Sequence, residues 1–181
     1  MFAGLLSKEQ PASAWGNPEH ILTALAPYSV NAPRAVWVES RYCLMQVATR
    51  AGAQSAQIYQ HRNSGVAVAF WGRLDNRTDL ISALSADTNV LDDELIALAW
   101  LKWAEHTAEH LIGDFALAIA CAGNGTVYLA RDVMGVKPLF YRIDEHGVFF
   151  ANSAAAFKAV SLGSLSPDPD WMARFIIDVS Y

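Results

Sequence analysis

"LIGDFALAIACAGNGTVYLARDVMGVKPLFY" (111–141) decides how the chain folds. Phe115–Ala122 is a run of apolar residues too short for a stable helix, and it ends in Gly-Asn-Gly, a turn signal. Thr126–Arg131, "PLFYRI" (138–143) and "GVFFAN" (147–152) repeat the pattern, each bounded by Gly, Asp or Asn. Four strands joined by tight turns are predicted, pairing as one antiparallel sheet.

Upstream, "YCLMQVA" (42–48), "AQIYQH" (56–61) and "GVAVAFWG" (65–72) are likewise short, partly β-branched runs closed by Gly, Asn or Ser, and they predict a first sheet built as a meander. Helical spacing appears in "NPEHILTALAPY" (17–28), which opens on an Asn-Pro start signal, and in "NRTDLISAL" (76–84). It returns in "LDDELIALAWLKWAEH" (91–106), where Leu95, Leu98, Ala99, Leu101 and Lys102 set out an amphipathic helix. Asp92, Asp93 and Glu94 stand in its first turn, where the helix dipole favours acids. The tail "PDPDWMARFIIDVSY" (167–181) carries another helix start, and the expected division is a domain over 1–165 followed by a linker or helix over 166–181. Strands in two groups with helices between and after them make an α+β architecture: two antiparallel sheets flanked by helices.

The 181 residues are 53% hydrophobic and 17% charged, a globular composition. Their net charge of −5 has no basic cluster, so no nucleic-acid partner is expected. No apolar run reaches the roughly 18 residues of a membrane span. The opening "MFAGLLSKEQ" lacks a basic n-region, and no membrane association and a cytoplasmic location are expected. Cys43 and Cys121 are too far apart for a C-x-x-C pair and read as reduced core residues. His106 and His110 have metal-ligand spacing but no third ligand in the sequence, so no metal is expected, and Trp100 and Trp103 read as core or interface.

The block 111–141 resembles the N-terminal glutaminase domain of asparagine synthetases, a class II glutamine amidotransferase of the Ntn-hydrolase type. Leu111, Gly113, Phe115, Ala116, Ala118 and Ile119 match its "FAFAI"-like strand and the residues before it. Leu129, Ala130, Arg131, Asp132, Gly135, Lys137, Pro138, Leu139 and Tyr141 match "LARDxxGxKPLYY". "AFWGRLDNRTDL" (69–80) is similar to the family's "FNGEIYNxxxL", and "LDDELI" (91–96) to "SDTEVI", in the same order and at the same spacing. The resemblance runs from about residue 2 to about residue 180. It implies a four-layer αββα sandwich.

It also implies a catalytic site that this sequence does not fill. The family begins Met-Cys-Gly-Ile, loses the Met, and uses the Cys thiol as nucleophile with its own α-amine as base. Here the Cys column falls on Ala3, or on Phe2 if shifted by one, and a Phe after Met1 is too bulky for ordinary Met removal. No catalytic residue is therefore expected. The oxyanion-hole columns "NGE" read Trp71, Gly72 and Arg73, so only the Gly72 backbone donor survives. The "RGPD" block has no counterpart, and "CLMQVATR" offers no Arg to clamp the substrate carboxylate. Asp92 stands in the column that binds the glutamine amino group. Trp71, Gly72, Arg73 and Asp92 thus make up a relict glutamine pocket, while Arg131, Asp132, Gly135 and Lys137 are expected to be structural or interdomain.

The "GRLDNR" block is also seen in the branch containing β-lactam synthetases and lasso-peptide cyclases. What the branch implies is a C-terminal domain, absent here, that adenylates a carboxylate with ATP and Mg and closes an amide. Its "SGGxDS" signature is missing from these 181 residues, so no cofactor is expected in this chain. The expected partners are that synthetase domain and a precursor peptide or processing protease. A stand-alone module binding a peptide or metabolite in the relict pocket, and an active amidotransferase with a different N-terminus, are the alternatives.

Overall fold

The computed structural model describes residues 1–8, 17–26, 32–48, 56–160, 168–170 and 172–173. Among these described residues nine strands form two antiparallel sheets. In chain order they are β1 (Phe2–Ser7), β2 (Arg34–Glu39), β3 (Tyr42–Val47), β4 (Tyr59–His61), β5 (Val66–Leu74), β6 (Gly113–Cys121), β7 (Thr126–Arg131), β8 (Phe140–Asp144) and β9 (Gly147–Ala151). The five-stranded sheet runs β2-β3-β1-β9-β8 and the four-stranded one β4-β5-β6-β7.

The partition differs from the sequence expectation. β6 and β7 pair with β4 and β5, whereas β8 and β9 cross to the sheet of β1–β3. The block 111–141 therefore spans both sheets. The expected meander is split too, since β3 lies in one sheet and β4–β5 in the other. Two strands escaped the sequence reading. β1 pairs with both β3 and β9, and β2 lies at the sheet edge with exposed Val36 and Val38.

Alternation along each strand builds three apolar layers. On the outer face of the five-stranded sheet, Ala3, Leu5, Cys43, Met45, Val47, Phe149 and Ala151 pack against Ile21, Leu22 and Leu25 of helix α1 (Pro18–Leu25). Each of these three side chains contributes about 1.5–3 kcal/mol by burial. Asn17 caps α1 by accepting from Glu19 N at 2.9 Å. On the outer face of the other sheet, Phe115, Leu117, Ile119 and Cys121 pack beneath helices α2 (Arg77–Leu84) and α3 (Asp92–Trp103). Between the sheets, Ala67, Ala69, Ala116, Ala118 and Ala120 face Phe2, Trp37, Tyr42, Leu44 and Phe150. Helix, sheet, sheet, helix is the expected four-layer order.

The helix expected over 91–106 ends at Trp103, where Ala104 takes φ 47° and a 3-10 segment follows over Ala104–His110. Leu101, expected on its apolar face, is exposed, and Asp93 is buried. Both cysteines are free and buried. The tail helix expected after Pro167 is described only at 169–170 and 172–173, and the boundary between 165 and 166 lies outside the described residues. Among the described residues no helix is long and apolar enough to cross a membrane.

Gly4, on β1, lies against the side chains of Phe150 and Leu44. A Cβ there would meet the Phe150 ring and Leu44 Cδ2 far inside contact distance, and both of those residues belong to the layer between the sheets. Gly4→Ala is expected to cost about 1–3 kcal/mol through overpacking, lowering Tm by about 2–4 °C per kcal/mol in a chain of this size. Urea unfolding of Gly4→Ala, Phe150→Leu and the double variant checks this: the Leu should recover part of the Gly4→Ala loss, and additive losses would show that the two positions do not compete for space.

Candidate functional site

At one end of the sandwich the inward-facing positions change character. β5 continues from Ala67 and Ala69 to Trp71, and β3 from Tyr42 and Leu44 to Gln46. A cavity of about 550 Å³ opens there. Met1, Gln46, Val47 and Ala48 form one wall, Phe70, Trp71 and Gly72 another, with Gln57 and Arg77. Residues 89–93, leading into α3, close it.

Of the expected pocket residues, the fold brings Trp71, Gly72 and Asp92 to this cavity. Arg73 does not line it. Its guanidinium is largely exposed and pairs with Asp75 at 2.6 Å and Asp114 at 3.4 Å. Phe2 and Ala3 are fully buried in the layers on either side of the five-stranded sheet, and the residue at the start of β1 that reaches the cavity is Met1.

The cavity also contains groups to which the sequence reading gave no role. Arg77, within the quoted "GRLDNR" block, pairs through Nη1 with Asp92 Oδ1 and donates through Nη2 to Val90 O. Asp93 accepts from Gln57 Nε2 at 2.8 Å and from Glu94 N at 3.0 Å, and burial pushes its carboxyl pKa up. Gln46 donates from Nε2 to Phe70 O at 3.1 Å across the two sheets, while its buried Oε1 has no partner among the described residues. The Met1 α-amine donates to Val47 O at 2.8 Å, and burial, then the charge of Lys137, lowers its pKa to about 5. Only the acids 92–94 carried a sequence signal, as a helix start. Gln46 and Gln57 carried none, because a polar residue at a strand end or in a connector is ordinary.

The expected structural block is organised by Asp132. Its carboxylate accepts from Val136 N at 2.8 Å and Lys137 N at 2.9 Å, and Gly135 between them takes φ +69°. Arg131 packs against Gly135, where a side chain would collide with its guanidinium. The turn delivers Lys137 to the cavity rim, with Nζ 4.7 Å from the centre of the Trp71 ring, a cation–π contact. Asn152 ties this loop to β1: its Oδ1 accepts from Phe2 N at 2.7 Å and its Nδ2 donates to Pro138 O at 2.8 Å. His106 and His110 are spent elsewhere, on Glu109 and on the Trp103 ring.

Neither cysteine is placed to act as a nucleophile. Burial raises the Cys43 thiol to about 11 and pushes Cys121 up as well, and neither lines the cavity. Ser7 is buried near the far end of β1.

The family model for the glutamine amidotransferase domain matches residues 42–159, and the chain belongs to that family. Asparagine synthetase [glutamine-hydrolyzing] 3 of Bacillus subtilis (strain 168) is 27% identical over 112 residues, 60% of this chain and 18% of that protein. Amidase chry2 of Gibberella zeae is 26% identical over 90 residues, 50% of this chain and 13% of that protein. The chain thus matches less than a fifth of either relative's length. Among solved structures, the glutamine phosphoribosylpyrophosphate amidotransferase from B. subtilis superposes with a TM-score of 0.62 at 17% identity, covering 87% of this chain and 43% of that one. The structure described as the allosteric regulatory enzyme of purine biosynthesis does so at 0.63, with the same identity and coverage. The fold is that of the Ntn-hydrolase glutamine amidotransferases.

Burial pushes the Asp132 carboxyl pKa up, but the N–H groups of Lys137, Val136 and Gly135 outweigh it and leave the pKa below the ordinary value. A carboxylate lowered in the folded state stabilises fully above its unfolded pKa, about 3.9, and loses that contribution as pH falls through the folded value. The urea-midpoint gap between wild type and Asp132→Asn is therefore expected to be widest near neutrality and to narrow as the medium is acidified below the carboxylate range. A gap independent of pH would contradict this assignment.

Proposed function

We propose that this domain has given up ammonia production and serves as the N-terminal platform of a longer ATP-dependent amide-forming enzyme of the asparagine synthetase family, of the lasso-peptide cyclase or β-lactam synthetase kind. In such an enzyme a second domain uses ATP and Mg to activate a carboxylate. The attacking amine belongs to the substrate, so no ammonia need be released from glutamine. The domain would work in the cytoplasm, beside a precursor peptide or its processing protease.

The observation that carries this reading is the cavity wall. Among the described residues no thiol or hydroxyl side chain lines it, and a glutaminase of this type needs an activated nucleophile there. Trp71 on the wall and Arg73 turned outward support it further, because neither offers the amide donor of an oxyanion hole. A platform role is supported by apolar side chains left in solvent on the 133–143 segment: Val133 is 100% exposed, Met134 86%, and Tyr141 and Ile143 66% each. Exposed apolar groups of this size gathered on one segment mark an interaction surface.

The second reading, a module that binds a small molecule in the relict pocket, is favoured by the cavity remaining open at about 550 Å³, within the range of roughly 300–1,000 Å³ common for such sites.

Incubating the purified protein with L-glutamine and measuring glutamate tests the main reading. Release at the level of a protein-free control is expected. Glutamate formed above that level, and abolished by a glutamine-directed alkylating agent, would establish a working nucleophile and overturn the proposal.

A further inference from the structure

We propose that the step where β8 overhangs the free edge of β7 takes up an extended peptide as one further strand of the four-stranded sheet. This rests on the reading of the domain as a platform, and it names the form of partner that the 133–143 side accepts.

In the register of β8 with β9, Tyr141 lies opposite Phe150 and Ile143 opposite Val148. Paired residues of neighbouring strands project from the same face, so Tyr141 and Ile143 point toward the layer between the sheets, to which Phe150 and Val148 belong. Phe150 is fully buried there, whereas Tyr141 and Ile143 are each 66% exposed. The four-stranded sheet therefore does not extend beneath β8.

The hydrogen bonds between the sheets place the strands accordingly. β3 bonds through Gln46 Nε2 to Phe70 O of β5 and through the Tyr42 hydroxyl to Cys121 O of β6. Beyond β3 its sheet continues with β1, β9 and β8, but beyond β6 the other sheet has only β7. The connection from β7 to β8 sets the direction: Asp132 N bonds to Phe115 O of β6, the Asp132 carboxylate holds Lys137 N, and Asn152, next to the end of β9, holds Pro138 O. β9 and β8 thus lie on the β7 side, and β8 projects past it.

Among the described residues β7 pairs only with β6, so its other side offers N–H and C=O groups to an incoming strand. Val127 and Leu129 of β7 turn toward the inter-sheet layer, and a strand added beside them sets every second side chain against Tyr141 and Ile143. The intervening side chains face the 104–110 segment, which lies along the outer side of β7. Tyr128 donates from its hydroxyl to Glu105 O at 3.0 Å, and Glu109 shares the wall of a second cavity, of about 490 Å³, with Arg131. Glu105, His106, Glu109 and Arg131 are all exposed, so that side of the incoming strand is polar. The partner that fits is an extended peptide with apolar side chains at alternate positions and polar ones between. A second copy of the chain does not fit, because pairing two β7 edges about a twofold axis drives each β8 into the space of the other copy's β9.

The test is an amide NMR titration of the whole chain. The probes are acetyl-Thr-Val-Lys-Val-Thr-Val-amide, its scramble acetyl-Val-Val-Val-Thr-Lys-Thr-amide, and two N-methylated forms of the first, one methylated at every Val nitrogen and one at the other nitrogens. The alternating peptide is expected to shift the resonances of 126–131 and 140–144 and to bind at least about ten-fold more tightly than the scramble. One methylated form should lose about ten-fold and the other should not, because a strand pairs with β7 through a single set of alternate N–H groups. Ile143→Lys should weaken binding about ten-fold, and Val38→Lys on the exposed edge of β2 should leave it unchanged. The wild-type peptide series decides the matter should Ile143→Lys fail to fold. The proposal is overturned if the alternating peptide does not bind, if the scramble or both methylated forms bind as tightly, if the shifted resonances lie elsewhere, or if Ile143→Lys binds as wild type does. A stable dimer that excludes the peptide overturns it in favour of a second copy. Any of these removes the strand site alone, whereas glutamate release from glutamine, measured separately, would remove the platform reading beneath it.

Discussion

The contact between the two sheets governs everything else in this molecule. Five alanines on β5 and β6 form a nearly flat floor, and the opposite sheet sets Phe2, Leu44, Phe150, Trp37 and Tyr42 into it. Small residues on one face meet large ones on the other, the complementarity that native packing density requires. Gly4 is part of the same fit, since any side chain there would occupy the volume of the Phe150 ring. Tyr42 completes it with a buried hydrogen bond from its hydroxyl to Cys121 O at 3.0 Å, which satisfies the one polar atom that its ring carries between the sheets.

The cavity is where this fit stops. Trp71 and Gln46 continue the inward-facing series beyond the last alanine and the last leucine, and neither packs as its predecessor does. The Trp71 ring is covered by Lys137, brought in by the Asp132 turn, and that turn is pinned to the first strand by Asn152. The strand start, the 132–138 loop and the cavity rim are therefore one connected assembly, held by hydrogen bonds and by the Lys137–Trp71 cation–π contact.

The elements themselves were legible from pattern. The alternation of β6 and the caps and acids of α1 and α3 reflect local physics, so their ranges were read within a few residues. β1 was missed because "FAGLLS" shows no alternation: it is buried on both faces, between α1 and the alanine floor, and a strand of that kind reads as an undivided apolar run. β2 was missed for the opposite reason, since an edge strand has few partners and its exposed Val36 and Val38 break the expected pattern. At the site, the resemblance located Trp71, Gly72 and Asp92 on the wall but also drew in Arg73, which an exposed pair with Asp75 turns away.

The sequence by itself determined the class, the order of the helices and of the strands from β3 onward, and the family, because these follow from residue periodicity, turn chemistry and the 111–141 block. Only the tertiary structure decided which sheet each strand joins, since β7 and β8, less than ten residues apart, end in different sheets. Periodicity reports how a strand's two faces are covered, not by which neighbours. The same holds for the charges in the cavity. Arg77 and Asp92 stand fifteen residues apart and Gln57 and Asp93 thirty-six, and only folding brings each pair together.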